Sequence, residues 1–181
     1  GMLKVVGGQY RGRKLRLIKT PLVRPMTAKL RGALFNMLGD RVKDAVVLDG
    51  FAGTGAIGLE ALSRGARTVV FIDEYYPAAK TIKDNLAKCE ADDRGRVVHQ
   101  EFNRAVIRLS KEEAKFDLIF LDPPYKLLEE RNPLKVIKKR GLLAPRVLIV
   151  MRHFRKIEPD LTFFERKRAV TIGDDTLSFF Q

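Results

Sequence analysis

The sequence predicts an α/β fold in which a mostly parallel, doubly wound sheet carries helices on both faces. Short strands alternate with helical segments from residue 45 onwards, and the strands are apolar along their whole length, as strands buried on both faces are. A third observation is that the predicted strands end at acidic residues, where open sheets of this kind bind ligands. These residues are Asp49, Asp73, Glu101 and Asp122.

The elements of this α/β region follow from local patterns. Runs of apolar and β-branched residues predict five strands, which are residues 45–48, 68–72, 96–99, 116–121 and 147–151. Helical segments connect them at residues 57–63, 77–88, 103–109 and 127–140, and a proline is acceptable in the first turn of the second of these helices. Residues 162–172 and 176–180 are predicted to close the fold as an antiparallel hairpin.

The first 45 residues precede this alternation and are predicted to form a basic extension. Residues 3–6 and 11–18 indicate a short β-ribbon interrupted by glycines. Thr27 is a suitable N-cap for a helix that runs to about Leu38. With 181 residues the chain suits one principal domain. We therefore divide it into the extension, residues 1–45, and an α/β domain, residues 46–181.

The positive charge of the chain is concentrated in two regions. The net charge is +13, of which residues 1–45 contribute +9, residues 46–124 contribute −2 and residues 125–181 contribute +6. Such an excess predicts a polyanionic partner, for which nucleic acid is favoured over an anionic membrane. The side chains expected to hold phosphates are Arg11, Arg13, Lys14, Arg16 and Arg24.

Composition excludes several other classes of protein. The single cysteine, Cys89, cannot form an internal disulfide framework. Because the sequence contains only one cysteine and two histidines, we expect no metal site. No run of eighteen apolar residues predicts a membrane span, and no signal-peptide core is visible, so we expect a cytoplasmic location. We also expect a monomer.

A glycine-rich loop follows the first strand of the α/β domain. Gly53, Gly55 and Gly58 satisfy the pattern G-x-G-x-x-G, and Asp73 lies twenty residues after Gly53. The pattern suits a nicotinamide dinucleotide or S-adenosylmethionine, because both need close backbone approach and a carboxylate for ribose hydroxyls. Asp49 favours S-adenosylmethionine, since a carboxylate would attract its ammonium group and repel a pyrophosphate.

The fourth strand runs into Asp122-Pro123-Pro124-Tyr125, which we predict to be the catalytic loop. Two prolines stiffen the turn and remove two N–H donors, so that the carbonyl of Pro123 can be directed at a ligand. Asp122 can accept a hydrogen bond from an amino group, and Tyr125 offers a flat surface on which a base can stack. This arrangement predicts methyl transfer to the exocyclic amine of a base.

With these motifs the chain resembles the bacterial 16S ribosomal RNA guanine-N2 methyltransferases of the RsmD family, which have a Rossmann-like class I methyltransferase fold. The resemblance covers most of the chain. The segments that carry it are Val6–Leu15, Arg24–Thr27, Leu34–Leu38, Leu48–Ala66 and Asp122–Tyr125. The first three are the more diagnostic, because the glycine loop and Asp-Pro-Pro-Tyr are shared with many methyltransferases.

The resemblance implies S-adenosylmethionine as the cofactor and a guanine of 16S rRNA, within the 30S subunit or an assembly intermediate, as the substrate. It implies that the methionine end of the cofactor faces Asp49, Phe51, Ala52, Gly53, Thr54 and Gly55. Asp73 would bind the ribose hydroxyls, and Glu101 and the backbone of Phe102 would lie near adenine. The sequence departs from the family pattern at Arg152, where we expect a glutamate.

Three alternatives remain open from the sequence. Asp-Pro-Pro-Tyr does not distinguish guanine from adenine, so a methyltransferase acting on adenine N6 in DNA or RNA is the nearest. A nicotinamide-dependent oxidoreductase would share the glycine pattern, although Asp49 argues against it. A non-catalytic RNA-binding factor could retain the fold, but the complete glycine loop weighs against this.

Overall fold

The computed structural model describes residues 2–18, 25–124, 127 and 132–181. Its helices are α1 (Ala28–Leu38), α2 (Ala56–Ser63), α3 (Tyr76–Lys88), α4 (Phe102–Lys111) and α5 (Pro133–Arg140). Its strands are β1 (Leu3–Lys4), β2 (Lys14–Leu15), β3 (Val46–Asp49), β4 (Thr68–Asp73), β5 (Gly95–His99), β6 (Phe116–Leu121), β7 (Leu143–Phe154), β8 (Arg166–Ile172) and β9 (Asp175–Phe180).

Seven strands form one sheet in the order β5-β4-β3-β6-β7-β9-β8. The first five are parallel to one another, whereas β9 is antiparallel to both β7 and β8. The mostly parallel sheet and the closing hairpin predicted from the sequence are therefore confirmed. Chain order reverses between β3 and β6, because β4 and β5 extend the sheet on one side of β3 and β6 lies on the other. Ligand sites in such sheets form at this switch point.

Each face of the sheet supports a separate hydrophobic cluster, because successive side chains of a strand point to opposite faces. In β6, Leu118 and Phe120 pack in the cluster that contains residues of α1, α2 and α3. Their neighbours Ile119 and Leu121 pack in the cluster formed with α4 and α5. Burial on both faces is the physical reason why these strands are apolar throughout.

The N-terminal segment packs onto the first of these faces. The ribbon is confirmed but shorter than predicted, with Leu3 opposite Leu15 in an antiparallel pair. Thr27 caps α1 as predicted, since its side chain accepts a hydrogen bond from the N–H of Leu30 at 3.1 Å. Leu3 and Leu15 belong to the same cluster as α2 and α3. The described part of the extension is thus continuous with the core of the α/β domain.

The starts of three elements differ from the prediction by four residues or more, and one of these is β8, which begins at Arg166 and not at residue 162. Strand β7 begins at Leu143 and not at residue 147, and it therefore includes Pro145. The pairing of β6 with β7 shifts register between Phe116 and Leu118, and this irregularity admits a residue without an N–H donor. Helix α5 begins at Pro133, where Asn132 caps it. The earlier part of the predicted helix falls largely outside the described residues.

Among the described residues, the helices are all too short or too polar to cross a lipid bilayer.

Candidate active site

The predicted site residues Asp49, Asp73 and Asp122 all lie at the carboxyl edge of the sheet. Asp49 ends β3, Asp73 ends the neighbouring β4, and Asp122 follows β6 on the other side of β3. The backbone connects these strand ends, since Gly50 donates its N–H to Phe120 and Ala52 donates to Ile72, both at 2.9 Å. The three carboxyl groups therefore line the switch point, where the topology places a ligand crevice.

Asp49 is the most deeply placed of these carboxyl groups, with 1% of the residue exposed. Its Oδ2 accepts a hydrogen bond at 3.1 Å from the N–H of Gly58, in the first turn of α2. Burial raises the pKa of Asp49 to about 7; the Gly58 hydrogen bond opposes this rise, and the nearby Asp122 and Asp73 add to it. A cation placed beside Asp49 would therefore favour the ionised form of this carboxyl group.

The glycine loop between β3 and α2 is shaped partly by packing within the protein. Gly53 and Gly55 have φ of +56° and +82°, a left-handed conformation that favours glycine. Gly58 has another function, because a Cβ there would overlap the ring of Phe71 on β4. Its lack of a side chain lets α2 pack closely on the sheet. Two of the three glycines thus set the turn, and the third sets the contact between helix and strand.

Asp73 and Asn85 hold this loop in place. Asp73 accepts hydrogen bonds from the N–H of Gly53 and of Tyr75, both at 2.9 Å, and burial raises its pKa. Asn85 of α3 is buried and donates at 2.9 Å to the carbonyl of Thr54. The sequence analysis missed Asn85, for which the available signal was an amide on the apolar face of a helix.

Two aromatic rings form a wall beside Asp49. Phe51 and Phe102 are stacked, with ring centroids 4.6 Å apart and an interplanar angle of 17°. Gly50 lies against the second ring, since a Cβ on it would be 2.9 Å from a ring carbon of Phe102. Phe51 was predicted to face the cofactor and the backbone of Phe102 to lie near adenine, but the contact between the two rings was not predicted. Phe102 is buried and Phe51 is partly exposed, so Phe51 is the ring of this pair that could contact a ligand.

The catalytic loop contains an ion pair that the sequence analysis did not foresee. Arg152, near the end of β7, donates from Nε to Oδ1 of Asp122 at 2.9 Å and from Nη2 to Oδ2 at 2.5 Å. The side chain of Arg152 is 6% exposed and that of Asp122 is 21% exposed. Position 152 is where we expected a glutamate. Pro123 is buried and Pro124 exposed, whereas Tyr125 lies outside the described residues.

Glu101, the fourth acidic strand-end residue, has a structural role here. Its side chain caps α4 by accepting hydrogen bonds from the N–H groups of Asn103 and Arg104, at 3.0 and 3.1 Å. An acidic side chain at this position also interacts favourably with the helix dipole. Contact of Glu101 with adenine stays a prediction.

Four of the predicted phosphate-binding residues lie in the described part of the ribbon segment, and all four are exposed. Arg13 donates to the carbonyl of Lys88 at 2.7 Å, and Arg16 pairs with Asp84 at 3.1 Å. Arg11 and Lys14 are exposed on the same ribbon. Arg24 lies outside the described residues. The ribbon therefore presents a basic surface that is fixed against the body of the domain, which we call the basic ribbon surface (Arg11, Arg13, Lys14 and Arg16).

Glu60 of α2 fixes this N-terminal segment and was missed as a functional position. It is fully buried and accepts hydrogen bonds from the N–H groups of Val6 and Gly7, at 2.8 and 2.9 Å. It also pairs with Arg31, which is buried, at 3.2 Å and with Arg64 at 2.8 Å. A single glutamate in the otherwise apolar helix sequence was the signal that could have revealed it.

The single cysteine and one of the two histidines are both buried inside the protein. Cys89 is buried, and burial raises the pKa of its thiol. His153 is held between the Ser178 hydroxyl, at 2.8 Å, and the Phe154 carbonyl, at 2.9 Å. Within the described ranges, no group of three or more His, Cys, Asp or Glu side chains is arranged to hold a metal ion.

Comparison with known proteins identifies the relationship that this site suggests. The sequence profile of the family described as Conserved hypothetical protein 95 matches residues 3–181. The chain belongs to this family. It is the RsmD family, and the resemblance read from the sequence is thereby confirmed. A relative in Escherichia coli strain K12, named ribosomal RNA small subunit methyltransferase D, is 38% identical over 151 residues, which cover 82% of this chain and 73% of the relative.

Solved structures agree with the fold of this RsmD-family chain. The yhhF protein of Escherichia coli superposes with a TM-score of 0.84 at 32% identity, over 100% of this chain and 98% of that one. A 16S rRNA N2 G1207 methyltransferase of T. thermophilus, in complex with AdoMet and guanosine, superposes with a TM-score of 0.74. That likeness covers 100% of this chain and 49% of the other at 21% identity, so it concerns the fold alone. The Rossmann-like methyltransferase fold is confirmed.

Proposed function

We propose that this protein transfers a methyl group from S-adenosylmethionine to the exocyclic N2 amine of a guanine in 16S rRNA. The observation that carries the proposal is the meeting of the glycine loop, through Asp49, and the Asp-Pro-Pro turn, through Asp122, at the β3–β6 switch point. A cofactor held by the loop and an amine held by the turn would meet in one crevice. Membership of the RsmD family supplies the substrate class.

The groups around the loop fit S-adenosylmethionine better than a dinucleotide. A dinucleotide places its pyrophosphate at the N-terminus of the helix after the glycine loop. In this chain the carboxyl group of Asp49 takes that position and accepts a hydrogen bond from the N–H of Gly58. The N–H of Gly53, in the glycine loop itself, donates a hydrogen bond to Asp73. Two carboxyl groups would repel a pyrophosphate and attract an ammonium group. We therefore set aside the nicotinamide-dependent oxidoreductase.

The residues of the catalytic loop would position the amine and stabilise charge. When bound, S-adenosylmethionine supplies an electrophilic methyl group on a sulfonium. Asp122 and the carbonyl of Pro123 would accept hydrogen bonds from the amine and so direct its nitrogen lone pair. Transfer to the nitrogen would break the C–S bond with its electron pair left on sulfur, and the nitrogen would lose a proton to solvent. Asp122 would act as an acceptor that attracts the developing positive charge.

The basic ribbon surface is proposed to dock rRNA beside this site. Its support is the concentration of +9 in residues 1–45 and the exposure of Arg11 and Lys14 on a ribbon packed against α3. Because phosphate contacts release counterions, binding through this surface should weaken steeply as salt is raised. The ribbon shares its core with α2, so deletion of residues 1–45 would disrupt folding as well as docking.

Point substitutions test the docking surface without that difficulty. The double variant Arg11→Gln/Lys14→Gln should lower RNA affinity and reduce the slope of log K against log salt by about 2. Lys135→Gln/Lys139→Gln removes the same charge from exposed positions of α5, on the opposite face of the sheet, and serves as the matched control. Equal salt slopes for the two double variants would show that RNA docks elsewhere.

Identification of the methylated base tests the reaction itself. The protein is incubated with labelled S-adenosylmethionine and naked 16S rRNA, 30S subunits or DNA, and the labelled nucleoside is identified after digestion. We expect N2-methylguanosine from the rRNA samples. Asp122→Ala should abolish transfer while cofactor binding is largely retained, and the exposed Asp93→Asn should change neither. Label in methylated adenine, or in DNA alone, would overturn the proposal.

A further inference from the structure

The ion pair between Arg152 and Asp122 joins two strands at the centre of the proposed site. Parallel pairing of Leu121 in β6 with Met151 in β7 brings the next residue of each strand to the same edge of the sheet. Their side chains meet through two hydrogen bonds, at 2.9 and 2.5 Å, which use both carboxylate oxygens of Asp122. A pair with two parallel contacts fixes the plane of the carboxylate as well as its position.

The surroundings explain why a guanidinium at this point matters. Asp122 shares the edge with Asp49 and Asp73, and its charge contributes to the raised pKa of Asp49. Arg152 brings a positive charge to this group of carboxyl groups from β7. Its side chain is almost fully buried, so screening by water is weak and the contact acts at short range.

We propose that Arg152 is a positioning residue for methyl transfer, which holds the carboxylate of Asp122 in a fixed orientation towards the substrate amine. The inference rests on the proposed function, because it assigns a role within that reaction. The two bonds from Arg152 fix how the carboxylate of Asp122 faces an incoming amine.

Four variants test this role. Arg152→Gln removes the charge and keeps a polar side chain, Arg152→Lys keeps the charge without the two-pronged geometry, and Asp122→Asn removes the partner's charge. The fourth variant, Asp122→Asn/Arg152→Gln, leaves no unpaired charge at the site. Arg155→Gln, at an exposed position three residues further along, is the matched control. Cofactor binding, kcat and KM for 30S subunits are measured for each, with thermal unfolding to confirm folding.

We expect Arg152→Gln to lower kcat about 10- to 100-fold, with KM for the 30S subunit and cofactor affinity changed by less than about threefold. Arg152→Lys should recover part of the lost kcat, and the control should match the wild type. In Asp122→Asn/Arg152→Gln the fold-decrease in kcat should be much smaller than the product of the fold-decreases in the two single variants, because the two residues act as a pair.

Three results would overturn the inference. One is an unchanged kcat in Arg152→Gln. Another is a double variant whose loss equals the product of the single losses. The third is a loss confined to thermal stability and cofactor binding, which would make Arg152 a merely structural residue. If the wild-type protein methylates no RNA, the proposed function fails; if it is active and Arg152→Gln is equally active, only the inference on Arg152 fails.

Discussion

The buried carboxyl group of Asp49 leads to a prediction that separates function from stability. Its pKa is raised from the usual value near 3.9 to about 7, mainly by burial. Between these two values the folded state binds a proton that the unfolded state does not, so stability contributed at this position is lost as pH rises through that range. Asp49→Asn keeps the shape and an acceptor for the N–H of Gly58 while removing the ionisation.

The expected change in unfolding free energy follows from the rise of the Asp49 pKa from its usual value near 3.9 to about 7. At pH 8 the substitution should stabilise the fold by up to about 4 kcal/mol, and at pH 5 by less than about 2 kcal/mol, because the unfolded carboxyl is then closer to its own titration range. The chain has no tryptophan, so urea unfolding is best followed by far-UV circular dichroism. Asp93→Asn makes the same change at an exposed site and should not show this difference.

Cofactor binding should respond in the opposite direction in the same variant. Asp49→Asn removes the carboxylate proposed to attract the ammonium group, so affinity for S-adenosylmethionine should fall. In the wild type the cofactor should favour the ionised carboxyl, release a proton and bind about tenfold more tightly at pH 8 than at pH 6. The amine of S-adenosylmethionine also titrates, so the pH dependence of cofactor affinity measured for Asp49→Asn is subtracted from that of the wild type.

Two results on stability would refute the reasoning. One is an Asp49→Asn variant that is less stable than the wild type at pH 8. The other is a difference in unfolding free energy between variant and wild type that is as large at pH 5 as at pH 8.

Two further predictions concern the packing that supports the site. Glu60→Gln should destabilise the fold by about 3–5 kcal/mol in urea unfolding, because Arg31 is left buried without its charged partner; a loss below about 1 kcal/mol would show that the N-terminal segment is held by other contacts. Gly58→Ala should destabilise by about 1–3 kcal/mol, since its Cβ would overlap the ring of Phe71. Gly32→Ala in α1, where the Cβ would make an ordinary 3.5 Å contact, should be neutral or stabilising by up to about 1 kcal/mol. Equal effects of the two glycine substitutions would contradict the packing argument.

Local patterns determined most of the fold. Apolar strands and a Thr27 cap depend on neighbouring residues, so their positions could be predicted to within a few residues. The prediction was wrong at the start of β7, because the strand begins four residues before the apolar run and passes through Pro145, beside a register shift against β6. Glu101 shows another limit, since an acidic residue after a strand suits both a ligand site and the helix cap that the structure contains.

The candidate site divides in the same way. The sequence alone determined which strand ends carry Asp49, Asp73 and Asp122, because motif spacing and alternation of elements place them at one edge of a parallel sheet. Only the tertiary structure decided that Asp49 is fully buried and that Arg152 pairs with Asp122, thirty residues away. Burial and long-range pairing depend on which strands become neighbours and in what register, and no local pattern along the chain records that arrangement.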